Sequence, residues 1–236
     1  MRKLRKFFGI LFVMVIIVGS LTNSALAASG SRYYHTTDFS TDIYLNPLEQ
    51  AQLNSIRSNL NNLFYANSLY QFPSAASIHT GLPYAYISVV HGHGLPGYIV
   101  CEQSNGSTQY LYNTSSNTNS LSKYAAGTLN DVKIIMFLNC YSGVGPAGNT
   151  TDGFPVTAVN KGASFAVGFR GTVRGSEWWG NAFTAALNSY TVAGAMSMAD
   201  MNYAYDWPAI SGTAVSPNYT YNRITAGTVN SYVWNL

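Results

Sequence analysis

The sequence predicts an α/β fold, a mostly parallel β-sheet with helices on both faces. Two short apolar runs carry most of that prediction. Tyr86 to Val90 and Val132 to Leu138 are rich in β-branched and aromatic residues and too short for ordinary helices. Continuous apolarity of this kind marks strands covered on both faces. Each run ends at a side chain able to do chemistry with glycine close behind, His91-Gly92-His93-Gly94 in one case and Cys140-Tyr141-Ser142-Gly143 in the other. A third observation is that segments with helical spacing alternate with these strands, the pattern of a parallel sheet built by crossovers.

The elements follow in chain order. Met1 to Phe8 carries Arg2, Lys3, Arg5 and Lys6, Ile10 to Val18 is wholly apolar, and Ser24-Ala25-Leu26-Ala27-Ala28 puts small residues at cleavage spacing. This reads as a secretory signal peptide over residues 1–28, its apolar core short for a membrane span. The remainder, 29–236, reads as one domain without repeat or linker. Leu48 to Ala66 has apolar residues near helical spacing (Leu48, Leu53, Ile56, Leu60, Leu63, Phe64), with Asn46-Pro47 ahead of it as cap and first turn. Ser74 to His79 reads as a short helix closed by Gly81-Leu82-Pro83. After the strand at Tyr86 comes a glycine turn through Gly97 and a short strand, Tyr98 to Cys101. Gln103 to Ser122, full of Asn, Ser and Thr, reads as a long surface loop. Asp131 to Leu138 is the clearest strand. Phe154 to Lys161 reads as a helix, Ala163 to Phe169 as a strand, and Trp178 to Tyr190 and Met196 to Tyr205 as two more helices.

Charge excludes some functions. Of twelve Lys and Arg, four lie in the leader and none of the nine Asp and Glu do, leaving eight bases against nine acids and a net charge of −1. No basic patch or Arg-rich helix remains to bind nucleic acid. Without the leader nothing predicts stable membrane association, so the chain reads as secreted. The four histidines lack Cys or carboxylate partners at ligand spacing, and no metal or organic cofactor is expected. Cys101 and Cys140 are the two cysteines. In an exported chain such a pair admits a disulfide, and a bridged Cys140 could not act as a nucleophile.

His-Gly after one apolar strand and Cys before a small-residue turn after a later one resemble the caspase-like clan of cysteine peptidases. That clan includes caspases, metacaspases, clostripain, gingipains, legumain and CHAT domains. The likeness runs from about Leu48 to Ala204. HGLPGYI, read from His93, is similar to the HGxxGxI run of caspases, whereas reading from His91 breaks the spacing. His93 precedes Cys140 by 47 residues, close to the roughly 50 of caspases. Where caspases carry Gln-Ala-Cys-X-Gly, this chain has Asn139 before the Cys and one more residue before Gly143. That form is closer to the Cys-Tyr-Ser-Gly of bacterial members than to the aspartate-specific caspases. KGASFAVGFRGTVRGSEWWGNAF resembles the later strand and loop with which the clan grips substrate side chains.

The resemblance implies a caspase-like α/β/α sandwich and an exported cysteine endopeptidase. Cys140 would be its nucleophile and His93 the general acid–base partner. The backbone N–H groups of Gly94 and Cys140 would form the oxyanion hole. Arg170, Arg174, Glu177 and Trp178 fall in the substrate-gripping segment, and His91 orients the loop or lines the cleft. If Glu177 faces the pocket, a basic P1 residue is favoured by a charge-assisted hydrogen bond; if Arg170 or Arg174 does, an acidic one is. Two alternatives stay open: a catalytically silent caspase-like binding module, and a disulfide-bonded structural or adhesive module at the cell surface.

Overall fold

A computed structural model describes residues 28–37, 46–63, 65–173, 175–211 and 223–236, with the backbone alone over 46–49 and 203–211. The leader residues 1–27, Phe64 and Arg174 lie outside the described residues. In chain order the elements are β1 (Ser31–His35), α1 (Asn46–Asn62), β2 (Asn67–Gln71), α2 (Ala75–Gly81), β3 (Ile87–Gly92), β4 (Gly94–Leu95), β5 (Tyr98–Glu102), β6 (Thr108–Tyr112), β7 (Ile134–Asn139), α3 (Phe154–Asn160), β8 (Phe165–Phe169), α4 (Ser176–Ala186), α5 (Val192–Ser211) and β9 (Arg223–Gly227). The expected α/β class and the mostly parallel sheet are both present. Among the described residues the main sheet has six strands in the order β2-β1-β3-β7-β8-β9. The first five are mutually parallel and β9 closes the edge antiparallel.

Two apolar layers explain why the sheet is covered on both sides. One packs Leu53, Ile56 and Leu60 of α1 and Trp179 and Phe183 of α4 on the face made by Val89, Met136, Leu138 and Val167. The other packs Ile78 of α2, Phe154 and Ala158 of α3, and Ile99 and Leu111 on the face made by Val90, Ile135 and Phe137. Alternate residues of β3 and β7 therefore enter different cores, which is why both strands read as mostly apolar runs without a polar face. No described helix is long and apolar enough to cross a membrane.

Five strands lie where no strand was expected, one of them the two-residue β4 inside the expected glycine turn. β1 (SRYYH) is an interior strand, paired with β2 on one side and β3 on the other, yet it has no apolar aliphatic residue. Its Tyr33 and Tyr34 enter opposite cores and supply the missing apolar surface through their rings. β2 and β9 are edge strands and correspondingly polar. The polar loop expected over Gln103 to Ser122 contains β6, which pairs antiparallel with β5. The alternation in Thr108–Tyr112 is a strand with one buried residue, Leu111, and an outward face carrying Tyr110 and Tyr112.

Candidate active site

Parallel register brings the two reactive side chains to one place. Ile87 pairs with Ile134 and each following residue advances together, ending at Gly92 opposite Asn139. His93 and Cys140 are therefore the next residue on each of two adjacent parallel strands, at the carboxyl edge where open α/β sheets build their sites. His93 is exposed and Cys140 half-buried.

The loop carrying His93 is fixed by contacts the sequence did not advertise. Its backbone N–H donates to Thr37 Oγ1 at 2.9 Å, and its carbonyl accepts from Val100 N–H at 3.0 Å. Asn139 is buried, and its Nδ2 donates to the Gly92 carbonyl at 3.0 Å, tying the two strand ends directly. Gly92 has φ +148°, and a Cβ there would meet Thr36 Oγ1 at 2.2 Å. At Gly94 a Cβ would lie 2.4 Å from the Cys140 carbonyl oxygen. Only glycine allows the His93 loop to lie this close under the Cys140 backbone.

The turn after Cys140 is held as firmly. Tyr141 takes φ +57°, a left-handed conformation uncommon for a non-glycine residue. Its N–H donates to the Gly171 carbonyl at 3.0 Å. Ser142, expected to be an ordinary loop residue, is a buried staple. Its hydroxyl lies 2.9 Å from the Phe137 carbonyl and 2.8 Å from that of Asn139, and it accepts the Phe169 N–H at 3.1 Å. The sulfur itself sits against one residue of the loop that leads from β8 to α4. Val173 N–H donates to Cys140 Sγ at 3.2 Å, and Sγ lies 3.4 Å from the Val173 carbonyl oxygen.

The expected substrate-gripping residues divide. Arg170 is exposed at the end of β8. Trp178 is buried in the core on the α1 and α4 side of the sheet. Glu177 is 5% exposed, and its Oε2 lies 3.3 Å from His91 Nε2. His91, itself buried, approaches His35 of β1 Nδ1 to Nδ1 at 3.4 Å. The structure thus brings His91 and Glu177 together beneath the edge that carries His93 and Cys140, while Trp178 belongs to the packing of α4. Pairing between residues 86 apart in the chain depends on where α4 crosses the sheet, and no local pattern encodes it.

Both cysteines are free, so the disulfide alternative finds no bridge in this structure. They also pack on opposite sides of the main sheet, Cys140 against the α1 and α4 core and Cys101 within the α2 and α3 core. Burial pushes the Cys101 thiol up to about 12, only partly offset by a hydrogen bond with the Leu111 backbone. Because the thiolate is the reactive form, iodoacetamide at neutral pH is expected to label Cys140 and spare Cys101 in the folded protein. Peptide mapping checks this; equal labelling of both would contradict the placement of Cys101.

With this geometry the comparisons with known proteins agree on the fold. No family model and no curated protein matches the chain by sequence. Among solved structures, a protein described as a protease superposes with a TM-score of 0.63 at 12% identity, over 92% of this chain and 51% of that one. Caspase-1 from Spodoptera frugiperda superposes with a TM-score of 0.50 at 12% identity, over 87% of this chain and 90% of its own. This chain spans about half the length of the first of these structures. The fold is that of the caspase-like α/β proteins.

Proposed function

We propose that this chain is a cysteine endopeptidase of the caspase-like clan, exported by its N-terminal leader and acting on peptide or protein substrates. The observation that carries this reading is the β3–β7 register, which sets His93 and Cys140 side by side at the carboxyl edge of the sheet. A thiol and an imidazole so arranged are the minimum for nucleophilic catalysis. The Cys140 thiol gives its proton to His93, and the thiolate adds to the scissile carbonyl. The tetrahedral oxyanion takes hydrogen bonds from the Gly94 and Cys140 backbone N–H groups. His93 then returns the proton to the leaving amine, and water, deprotonated in turn by His93, hydrolyses the thioester.

A basic P1 preference would rest on Glu177, whose carboxylate is instead buried against His91. The proposal therefore assigns no P1 pocket to that residue. The test is a mixed-sequence peptide library with products read by mass spectrometry. Cleavage that requires Cys140 supports the reading. A folded chain with a labelled Cys140 that cuts nothing in the library would favour the silent binding module.

A further inference from the structure

We propose that Glu177 and His91 are positioning residues for the Cys140 nucleophile, an inference that rests on the peptidase reading above. Cys140 Sγ is held by the backbone of Val173, through its N–H at 3.2 Å and its carbonyl at 3.4 Å. What places Val173 is therefore what places the sulfur. Its loop leaves β8 after Phe169 and ends at Ser176, the first residue of α4. That far end is fastened by two neighbouring contacts. Ser176 Oγ donates to the Leu138 carbonyl on β7 at 3.0 Å, and Glu177 Oε2 meets His91 Nε2 on β3 at 3.3 Å. The strand delivering His93 and the loop gripping Cys140 are thus joined through one buried His–carboxylate contact, two residues before His93.

The contact is built to be rigid. His91 and Glu177 are 3% and 5% exposed, so neither side chain has room for alternative rotamers in solvent. His35 and His91 are register partners on β1 and β3, and their rings stack with centroids 5.5 Å apart. Tyr33 meets the His91 ring edge-on and Phe72 lies against His35. His91 Nε2 faces the Glu177 carboxylate and its Nδ1 faces His35 Nδ1, so both ring nitrogens of His91 are engaged and the ring is held in one orientation. His35 and His91 also straddle the switch between β1 and β3, where the strand order reverses. A buried polar chain at this place is expensive unless each group is partnered, and here it connects both halves of the candidate site.

The experiment pairs kinetics with local hydrogen exchange. Glu177→Ala is expected to lower kcat by about ten- to a hundredfold with KM nearly unchanged, since the substrate contacts remain while the sulfur is misplaced. Exchange of backbone amides over residues 170–173 should accelerate in the same variant, while β7 and β8 stay protected. Glu177→Gln keeps the shape and an acceptor oxygen for His91, and should recover most of both properties. If Glu177→Ala fails to fold, the double variant H91L/E177L removes both polar partners together and carries the same expectation. Unchanged exchange over 170–173 overturns the proposal even if the wild type hydrolyses no peptide. A raised KM with kcat retained also overturns it, making Glu177 a substrate-binding acid.

Discussion

Replacing Cys140 with alanine is expected to abolish peptide hydrolysis while the fold survives. The alanine retains the Cβ, and the lost contacts are hydrogen bonds of the sulfur with a single residue, Val173. Such bonds contribute about 0.5–1.5 kcal/mol each, against a total stability of about 5–15 kcal/mol for a domain. His93→Ala is expected to cost about 10²-fold or more, because thiolate formation and leaving-group protonation are both lost. His93 is exposed, so its removal should lower stability far less than it lowers activity. Far-ultraviolet circular dichroism and a melting curve on each variant separate loss of chemistry from loss of structure. If His93→Ala retained activity and His91→Ala lost it entirely, the acid–base role would lie two residues upstream.

The largest stability effect is expected at Asp200. This carboxylate is buried on α5 and accepts the indole N–H of Trp179 at 2.8 Å through Oδ1. Arg223 of β9 donates to the same oxygen from Nε at 3.2 Å and to Oδ2 from Nη2 at 2.7 Å. One side chain therefore fastens α4, α5 and the antiparallel edge strand. Asp200→Ala strands a guanidinium and an indole N–H together, and breaking a buried pair in this way costs about 3–5 kcal/mol. Arg223 is 18% exposed in its side chain, so the lower part of that range applies. Asp200→Asn preserves an acceptor for Trp179 and should cost less. Urea denaturation followed by tryptophan fluorescence measures both; an alanine variant as stable as wild type would mean that the network contributes nothing net.

The sequence disclosed the parts of the fold that are apolar and local. β3, β7 and β8 were legible because their residues feed two cores at once, so most of their positions are apolar. β1 was not, since Ser-Arg-Tyr-Tyr-His looks like surface although it is interior to the sheet. Its burial depends on tyrosine rings packing on strands that come later in the chain. β6 was hidden by the Asn, Ser and Thr around it, although Thr108–Tyr112 alternates as a half-buried strand should.

The candidate site divided in a similar way. The placement of His93 and Cys140 at two strand ends was readable from the apolar runs before them. The groups that fix them were not readable, because Thr37, Ser142 and Val173 act through a hydroxyl or the backbone, and many residue types could be read into a loop at those positions. From sequence Glu177 is a charge that could face a substrate pocket, as Arg170 or Arg174 could instead. Its burial against His91 follows from the crossing of α4 over β3, a long-range consequence of helix packing that residue spacing cannot report.

The central claim is that Cys140 becomes covalently acylated during turnover, and an acid-quench experiment tests it most directly. The protein is mixed with a peptide ester drawn from cleaved library sequences, quenched in acid within the first turnovers, digested and mapped by mass spectrometry. The account predicts the acyl group as a thioester on the peptide containing Cys140, with Cys101 unmodified and no adduct accumulating in the Cys140→Ala variant. Steady hydrolysis with no adduct on Cys140, or undiminished hydrolysis by Cys140→Ala, would contradict it.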